Sequence, residues 1–511
     1  MMAQMMRLLM WLAFALLFTA CETRPVDKYV LIDVDGGQVQ KSTTATTVAG
    51  ALDEAGVELA PLDRVQPDLN EPLERSTHII ITRVREELSH EERPMPFPRT
   101  LLRDESMADG ISRVLQLGVN GREVLTYRTV YENDQEIAHD LVSQQAVEIP
   151  REEIVVVGAK GLLTSVPING TIVYLSNNNG WLMHDASGNK RPLTFTGDLD
   201  GRVFALSPSA NRLLFTRRAS VGGAAGAVGP LNALFQVDTQ TTDSTGTAVG
   251  VEDVLYADWL SDTQIVFSTA ERTVGAPGWK AHNDLWRYDL TSRQKERLLE
   301  PLSNIAYAFW GVSFVLAPDR QRMVYASADE LGFVDMSSGV RSVLQPFPVY
   351  QTNAGWVWTP DLSWSPDMRF IAATLHAPPP ETPNPELASL FDVWAINTNG
   401  SFAAPLAADV GMFANPVWSR QGSIAYAQAR QPRESADDQY DLFVMNADGG
   451  NKRRTFPLNG GHGLTNPQFA WSSNGEKVLA LQDGNLFMVD VNGISAAQLS
   501  ADGGGVQVRW R

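Results

Sequence analysis

Asn474-Gly475-Glu476-Lys477-Val478-Leu479-Ala480-Leu481-Gln482-Asp483-Gly484-Asn485-Leu486-Phe487-Met488-Val489-Asp490-Val491-Asn492-Gly493 decides the fold. Three turn dipeptides, Asn474-Gly475, Asp483-Gly484 and Asn492-Gly493, recur every nine residues. Asn-Gly and Asp-Gly close tight hairpins because both positions tolerate positive φ. The runs between them, 477–482 and 485–490, do not alternate: they are apolar on both faces. Strands read that way when both faces of their sheet are covered. The stretch therefore predicts a small up-and-down antiparallel sheet stacked between neighbouring sheets.

The same unit recurs upstream. An anchor residue ends one strand, a turn follows, and an apolar strand comes next. The anchors are Leu206, Trp259, Leu316, Trp364, Trp418 and Trp471. The strands after them include Leu213-Leu214-Phe215, Ile265-Val266-Phe267, Met323-Val324-Tyr325, Phe370-Ile371-Ala372 and Ile424-Ala425-Tyr426. Repeats of this length mean an array of stacked units. The array opens with a half-unit lacking an anchor strand, Thr171–Leu175 and Gly180–Met183. It ends with an anchor strand lacking a partner, Val506-Gln507-Val508-Arg509-Trp510. Joined, the halves make one more sheet and close a ring, which removes exposed edges. The expectation is a β-propeller over 168–511 with seven blades, or six if the unit at Leu316 is irregular.

Leu442-Phe443-Val444-Met445-Asn446-Ala447-Asp448-Gly449-Gly450-Asn451 and Leu362-Ser363-Trp364-Ser365-Pro366-Asp367 resemble the repeat of TolB-like propellers. That resemblance implies a binding platform, with a protein or peptide partner at the propeller face, and no particular reaction.

Two smaller modules precede the ring. Within 28–84, Tyr29-Val30-Leu31-Ile32 runs into the turn Asp35-Gly36. Thr47 then caps a helix that Gly56 ends, and Ile79-Ile80-Ile81-Thr82-Arg83-Val84 closes as a strand. That order predicts a β-grasp-like α+β domain. Thr47–Leu52, Ala55-Gly56-Val57, Asp63-Arg64-Val65 and Ile79–Val84 resemble the ubiquitin-like repeat of resuscitation-promoting factors and YabE-type cell-wall proteins.

From 85 to 165, glycines 110, 118, 121, 158 and 161 punctuate strands at Tyr127-Arg128-Thr129-Val130-Tyr131 and Ile154-Val155-Val156-Val157. Leu117-Gly118-Val119-Asn120-Gly121 and Val155-Val156-Val157-Gly158 resemble the G-five domain, a small β module. The family usually has a glycine in the middle hairpin, where this chain has Asn133-Asp134-Gln135. The resemblance implies binding of N-acetylglucosamine-containing polymers, a cell-wall or extracellular glycan. The whole chain is thus expected to be mainly β.

Arg7 precedes an apolar run, Leu8–Phe18, of 11 residues, followed by Thr19-Ala20-Cys21. A spanning helix needs about 20 residues, so the run reads as a signal-peptide core over 1–20. Thr19-Ala20-Cys21 resembles a bacterial lipobox, although Phe18 stands where Leu is usual. It implies lipidation of Cys21, a tether over 21–27, and a membrane partner through the lipid anchor on the extracytoplasmic side. Cys21 is the single cysteine of the 511-residue chain, so no disulfide forms within it.

The formal net charge of −18 comes from 41 Lys and Arg against 59 Asp and Glu. With no basic run, nucleic acid is not an expected partner. No phosphate loop, dinucleotide fingerprint or nucleophile elbow is present, and the seven histidines lack ligand spacing. Asp33-Val34-Asp35-Gly36 reads as a hairpin rather than a calcium loop. The sequence therefore points to no catalytic residues, no metal and no cofactor. A propeller enzyme acting on glycans, a lyase or hydrolase, is the minor alternative. Most repeat tryptophans should pack between blades. Trp279, Trp356 and Trp358 fall outside the repeat in long loops, where aromatic faces suit sugar stacking, so these are the ligand-binding candidates.

Overall fold

The computed structural model describes residues 28–104, 107–159, 163–219, 229–241, 245–273, 277–349, 357–379, 381–383, 385, 388 and 390–511. Cys21 and Trp356 lie outside the described residues. The chain divides into two compact units. One runs to Pro96 and resumes from Asn120 to Pro150; the other takes Phe97–Val119 and Arg151–Arg511.

In the first unit, Lys28–Val34 (β1) and Gly37–Thr43 (β2) form a hairpin across Asp35 and Gly36, at φ 52° and 73°. Helix α1, Val48–Ala55, starts where the Thr47 hydroxyl accepts the Gly50 N–H and stops at left-handed Gly56. Arg64–Gln66 (β3) and Ser76–Thr82 (β4) complete a sheet of order β2-β1-β4-β3, with β1 and β4 parallel. Val48, Ala51 and Leu52 of α1 cover Val30, Ile32, Ile79 and Ile81. This is the expected β-grasp-like unit with one amendment: Val84 does not extend the closing strand. The chain turns at Arg83, whose guanidinium bonds Asp35, Asp63 and the Glu58 carbonyl. Val84 opens the next strand.

Six strands follow: Val84–Met95 (β5), Arg99–Asp104 (β6), Ser112–Gln116 (β7), Gly121–Glu132 (β8), Gln135–Glu148 (β9) and Glu153–Gly158 (β10). They make two separate sheets. β5-β8-β9 is antiparallel and belongs to the first unit; β6-β10-β7 belongs to the second. Asn133 and Asp134 both take positive φ, 49° and 64°, so this hairpin closes without the usual glycine. Asn and Asp enter that region more readily than other non-glycine residues.

In the second unit, Leu102, Ile154 and Val156 of the β6-β10-β7 sheet share a core with Ile172, Trp181, Leu479 and Trp510. The rest is seven sheets. Six have innermost strands Leu199–Leu206, Val254–Trp259, Ser313–Leu316, Leu362–Trp364, Val417–Trp418 and Phe469–Trp471, called blades 1 to 6. Each runs from its innermost strand through antiparallel neighbours in chain order to its outermost one, blade 2 carrying an extra short strand off that path. Blade 7 joins Gly505–Trp510 to Pro167–Ser176 and Asn179–Pro192, with Ile172 opposite Trp510 and Tyr174 opposite Val508. The unit at Leu316 is a regular four-stranded blade, so the count is seven. All six anchors end their innermost strands, as expected.

Packing between blades explains the tryptophans. The indole Nε1 of Trp259 donates to Ala205 O (2.9 Å), that of Trp364 to Val315 O (3.1 Å) and that of Trp471 to Val417 O (2.9 Å). Each acceptor lies on the innermost strand of the preceding blade. Trp510 donates to Asn169 O (2.7 Å) and so fastens the latch within blade 7. Gly170, at φ 93°, is required there: a Cβ would stand 2.0 Å from Arg511 O. Behind the latch, the Lys190 ammonium pairs with Asp502 (3.3 Å), both side chains almost wholly buried, against the rings of Tyr174 and Trp181. Among the described residues, no helix is long and apolar enough to cross a membrane.

Candidate functional site

In the first unit, the β5-β8-β9 sheet is open on its broad faces. β9 has no buried residue, and β5 has one, at its start. Register places Arg85, Ser89 and Arg93 of β5 beside Tyr131, Tyr127 and Glu123 of β8, and Thr129 beside His139 of β9. Alternation therefore puts Arg85, Arg93, Tyr127, Tyr131 and His139 on one face. The Tyr127 and His139 rings stack at 4.9 Å and 16°. His139 Nδ1 shares a hydrogen bond with the Thr129 hydroxyl (2.8 Å), Arg93 donates to Tyr127 Oη (3.4 Å), and the Arg85 guanidinium covers the Tyr131 ring at 3.8 Å. The result is a row of rigid rings flanked by donors, on a surface that reaches water. Rings of this kind suit the apolar faces of sugars, and the guanidinium and imidazole groups suit their hydroxyls.

The alternation in Tyr127–Tyr131 predicts a half-buried strand, and β8 is one, with Leu125, Thr129 and Val130 buried; the row of rings is not part of that prediction. The alternation was visible. That neither face of the sheet would be covered was not, because that depends on where the module's other strands go.

In the propeller, Trp358 lines an apolar cavity of about 270 Å³ between blades 3 and 4, with Phe347, Pro360, His376, Phe391 and Trp394. Its ring lies 4.5 Å from that of Phe391. Among the described residues, the buried indole N–H groups of Trp358 and Trp394 meet no acceptor. An unpaired buried donor costs about 1–3 kcal/mol, so an acceptor that reached either indole would be favoured. Burial lowers the His376 imidazole below its ordinary pKa, against a hydrogen bond to Ala388 O (2.6 Å).

Trp279 sits elsewhere and differently. It is not in a loop but opens a short extra strand, Trp279–Ala281, on the edge of blade 2. The Arg202 guanidinium lies over its ring at 4.2 Å, and its indole reaches Trp310 O at 3.4 Å. One face of its ring is therefore occupied. The structure does not bring Trp279 and Trp358 together.

The central channel is a second cavity, about 450 Å³, lined by the innermost strands of blades 1, 2, 5, 6 and 7. Arg202, Arg420, Arg509 and Arg511 project there with a single acid, Asp258. Burial pushes the Asp258 carboxyl up, opposed by the Trp259 N–H and by Arg511, Arg320 and Arg509. Burial also lowers Arg509 and Arg511, while Asp258 acts the other way.

Comparison with known proteins agrees with the module order. Residues 86–160 match the G5 domain family, and residues 30–70 match the G5-linked ubiquitin-like domain. The resuscitation-promoting factor RpfB of Mycolicibacterium smegmatis is 33% identical over 134 residues, 26% of this chain. This chain spans 37% of that relative's length. Among solved structures, the G5 domain of IgA1 protease is 25% identical, covering 16% of this chain and 93% of its own, at a TM-score of 0.13. A TolB structure from Agrobacterium tumefaciens is 15% identical, covering 67% of this chain and 100% of its own, at 0.37. The tricorn protease is 10% identical, covering 76% of this chain and 39% of its own, at 0.44. The assignment of seven blades rests on the sheet pairing itself. The chain thus carries a ubiquitin-like module, a G5 domain and a β-propeller in series.

Proposed function

We propose that this chain is a non-catalytic binding lipoprotein of the bacterial cell envelope. Lipidated Cys21 tethers it to the membrane on the extracytoplasmic side. The G5 domain grips an N-acetylglucosamine-containing polymer such as peptidoglycan, and the propeller presents a further binding face. The single observation that carries the glycan reading is the open face of β8 and its neighbours, where Tyr127, Tyr131 and His139 stand beside Arg85 and Arg93. The match to the G5 family and the likeness to a resuscitation-promoting factor support a cell-wall setting. Weak sites held near a wall by a tether gain effective concentration, so the face need not bind tightly alone.

The test is a sedimentation assay with purified peptidoglycan. The full chain should be retained, and the Tyr127→Ala/Tyr131→Ala chain should lose about tenfold in affinity, the scale of one or two lost stacking contacts. Equal retention would sink the glycan reading. In cells, the same experiment on Cys21→Ser should find the protein in the soluble fraction; if it stays with the membrane, the anchor is another segment. A second reading, a protein-interaction scaffold, is favoured by the two unsatisfied indole donors at Trp358 and Trp394. Recovery of a protein and no glycan would put that reading first.

A further inference from the structure

The channel's charge runs against the chain's. The protein carries a formal net charge of −18, yet the residues lining the channel include four arginines and one carboxylate, Asp258. Elsewhere in the propeller, several arginines are matched by a carboxylate. Arg217 pairs with Asp198 (2.8 Å), Arg341 with Glu330 (2.8 Å) and Arg430 with Asp441 (2.8 Å). In the channel they are not. Among the described residues, Arg420 and Arg511 have no ion pair or side-chain hydrogen bond. The Arg509 side chain, among the described residues, bonds only the Val508 carbonyl (2.8 Å), and Arg202 lies over the face of Trp279 with the charge of Asp200 acting on it. Arg320, which holds the Trp259 carbonyl, adds a fifth positive charge acting on Asp258 and Arg511.

Arg420 and Arg511 are exposed and Arg202 and Arg509 half-buried; like charges gathered at one channel mouth repel, and they cost folding free energy unless something negative joins them. Asp258 cannot serve as the counter-ion for so many. We propose that the channel is a binding site for a compact oxyanion on a small molecule, a phosphate or a carboxylate, held by Arg420, Arg509 and Arg511 with Arg202 at its margin. Guanidinium groups match both oxyanions in forked geometry, and a cavity of about 450 Å³ admits a small molecule. The low-dielectric walls and the acidic exterior make the channel the place where an anion is attracted rather than repelled. Trp279 then has a different part from sugar stacking: it holds the Arg202 guanidinium flat.

Titration calorimetry on the full chain, with inorganic phosphate in one series and citrate in the other, tests this. One saturable site is expected for at least one anion, weakening as salt rises. The tighter of the two identifies the chemistry. Arg509→Gln/Arg511→Gln should weaken binding by about tenfold or more, while Arg217→Gln, a paired arginine outside the channel, leaves it unchanged. Should the double variant fail to fold, Asp258→Asn decides: loss of the lone repelling carboxylate should tighten binding several-fold. The proposal is overturned if neither anion binds at millimolar concentration, if the double variant binds like the parent, or if Asp258→Asn fails to tighten binding.

Discussion

The β5-β8-β9 sheet and the sheet of blade 6 are both antiparallel, and they obey opposite physics. In blade 6, Val478, Leu479, Ala480 and Leu486 are wholly or almost wholly buried, because other sheets cover both faces. In β5-β8-β9, Leu88 is 64% exposed, Ile137 52% and Leu141 50%. A blade is held by apolar area removed from water, roughly 25 cal/mol per Å². The open sheet is held by its ladder and by cross-strand pairs such as Tyr127 with His139, each worth only about 0.2–1 kcal/mol. Stability thus concentrates in the blades, and chemical variety concentrates on the exposed faces of the β5-β8-β9 sheet.

That contrast can be broken at three places. The largest effect should come at the ring's latch. Asp502→Ala leaves the buried Lys190 ammonium without its carboxylate, and breaking a buried pair in that way costs about 3–5 kcal/mol. Denaturant unfolding should show the propeller transition moving while the first unit's stays in place. An unmoved propeller transition would mean that the pair contributes nothing to closure.

A smaller effect lies in how the two units treat a carboxylate. Burial would raise Asp63 of the first unit, but the Ala60 N–H, Arg83 and the Val84 N–H bond it and hold it below its ordinary pKa. Asp361, just before the innermost strand of blade 4, is pushed by burial up to about 6. Its folded form binds the proton more tightly than the unfolded chain, so its contribution is most favourable below pH 4 and is lost as pH rises through 6. Asp361→Asn should therefore stabilise the propeller at pH 7.5 by about 2 kcal/mol, the shift discounted for partial exposure, and by nothing near pH 3.5. A pH-independent gain would place the effect in packing rather than ionisation.

The smallest effect belongs to the open sheet. Leu88→Ser should change the first unit's stability by no more than about 0.5 kcal/mol, as surface substitutions do. A loss several times larger, read from the same unfolding curves, would show that this face is covered in solution.

Much of this was legible before any coordinates. The nine-residue hairpin spacing, the six anchors and the half-units at both ends of the array account for the blades and the closure. They are local signals: turn dipeptides need positive φ, and doubly covered strands are apolar throughout. Thr47 and Gly56 mark α1 for the same reason, since caps are chosen by the unsatisfied groups at a helix end. Trp358 was singled out as an aromatic outside the repeat, and it does line a cavity. Trp279 stands out on the same grounds, in a short edge strand with Arg202 over one face of its ring. The Tyr127 row and the channel arginines escaped notice because neither is a pattern in sequence. Arg202, Arg420 and Arg509 are more than 80 residues apart, each read alone as an ordinary polar residue.

By itself, the sequence determined which segments become strands and where they turn, because those outcomes depend on neighbours a few residues away, and the unmatched half-units at the two ends of the array pointed to one another as partners. Only the tertiary structure decided which faces stay open and which charges meet. Burial and electrostatics depend on what packs alongside, and in a ring the partners come from blades far apart in the chain.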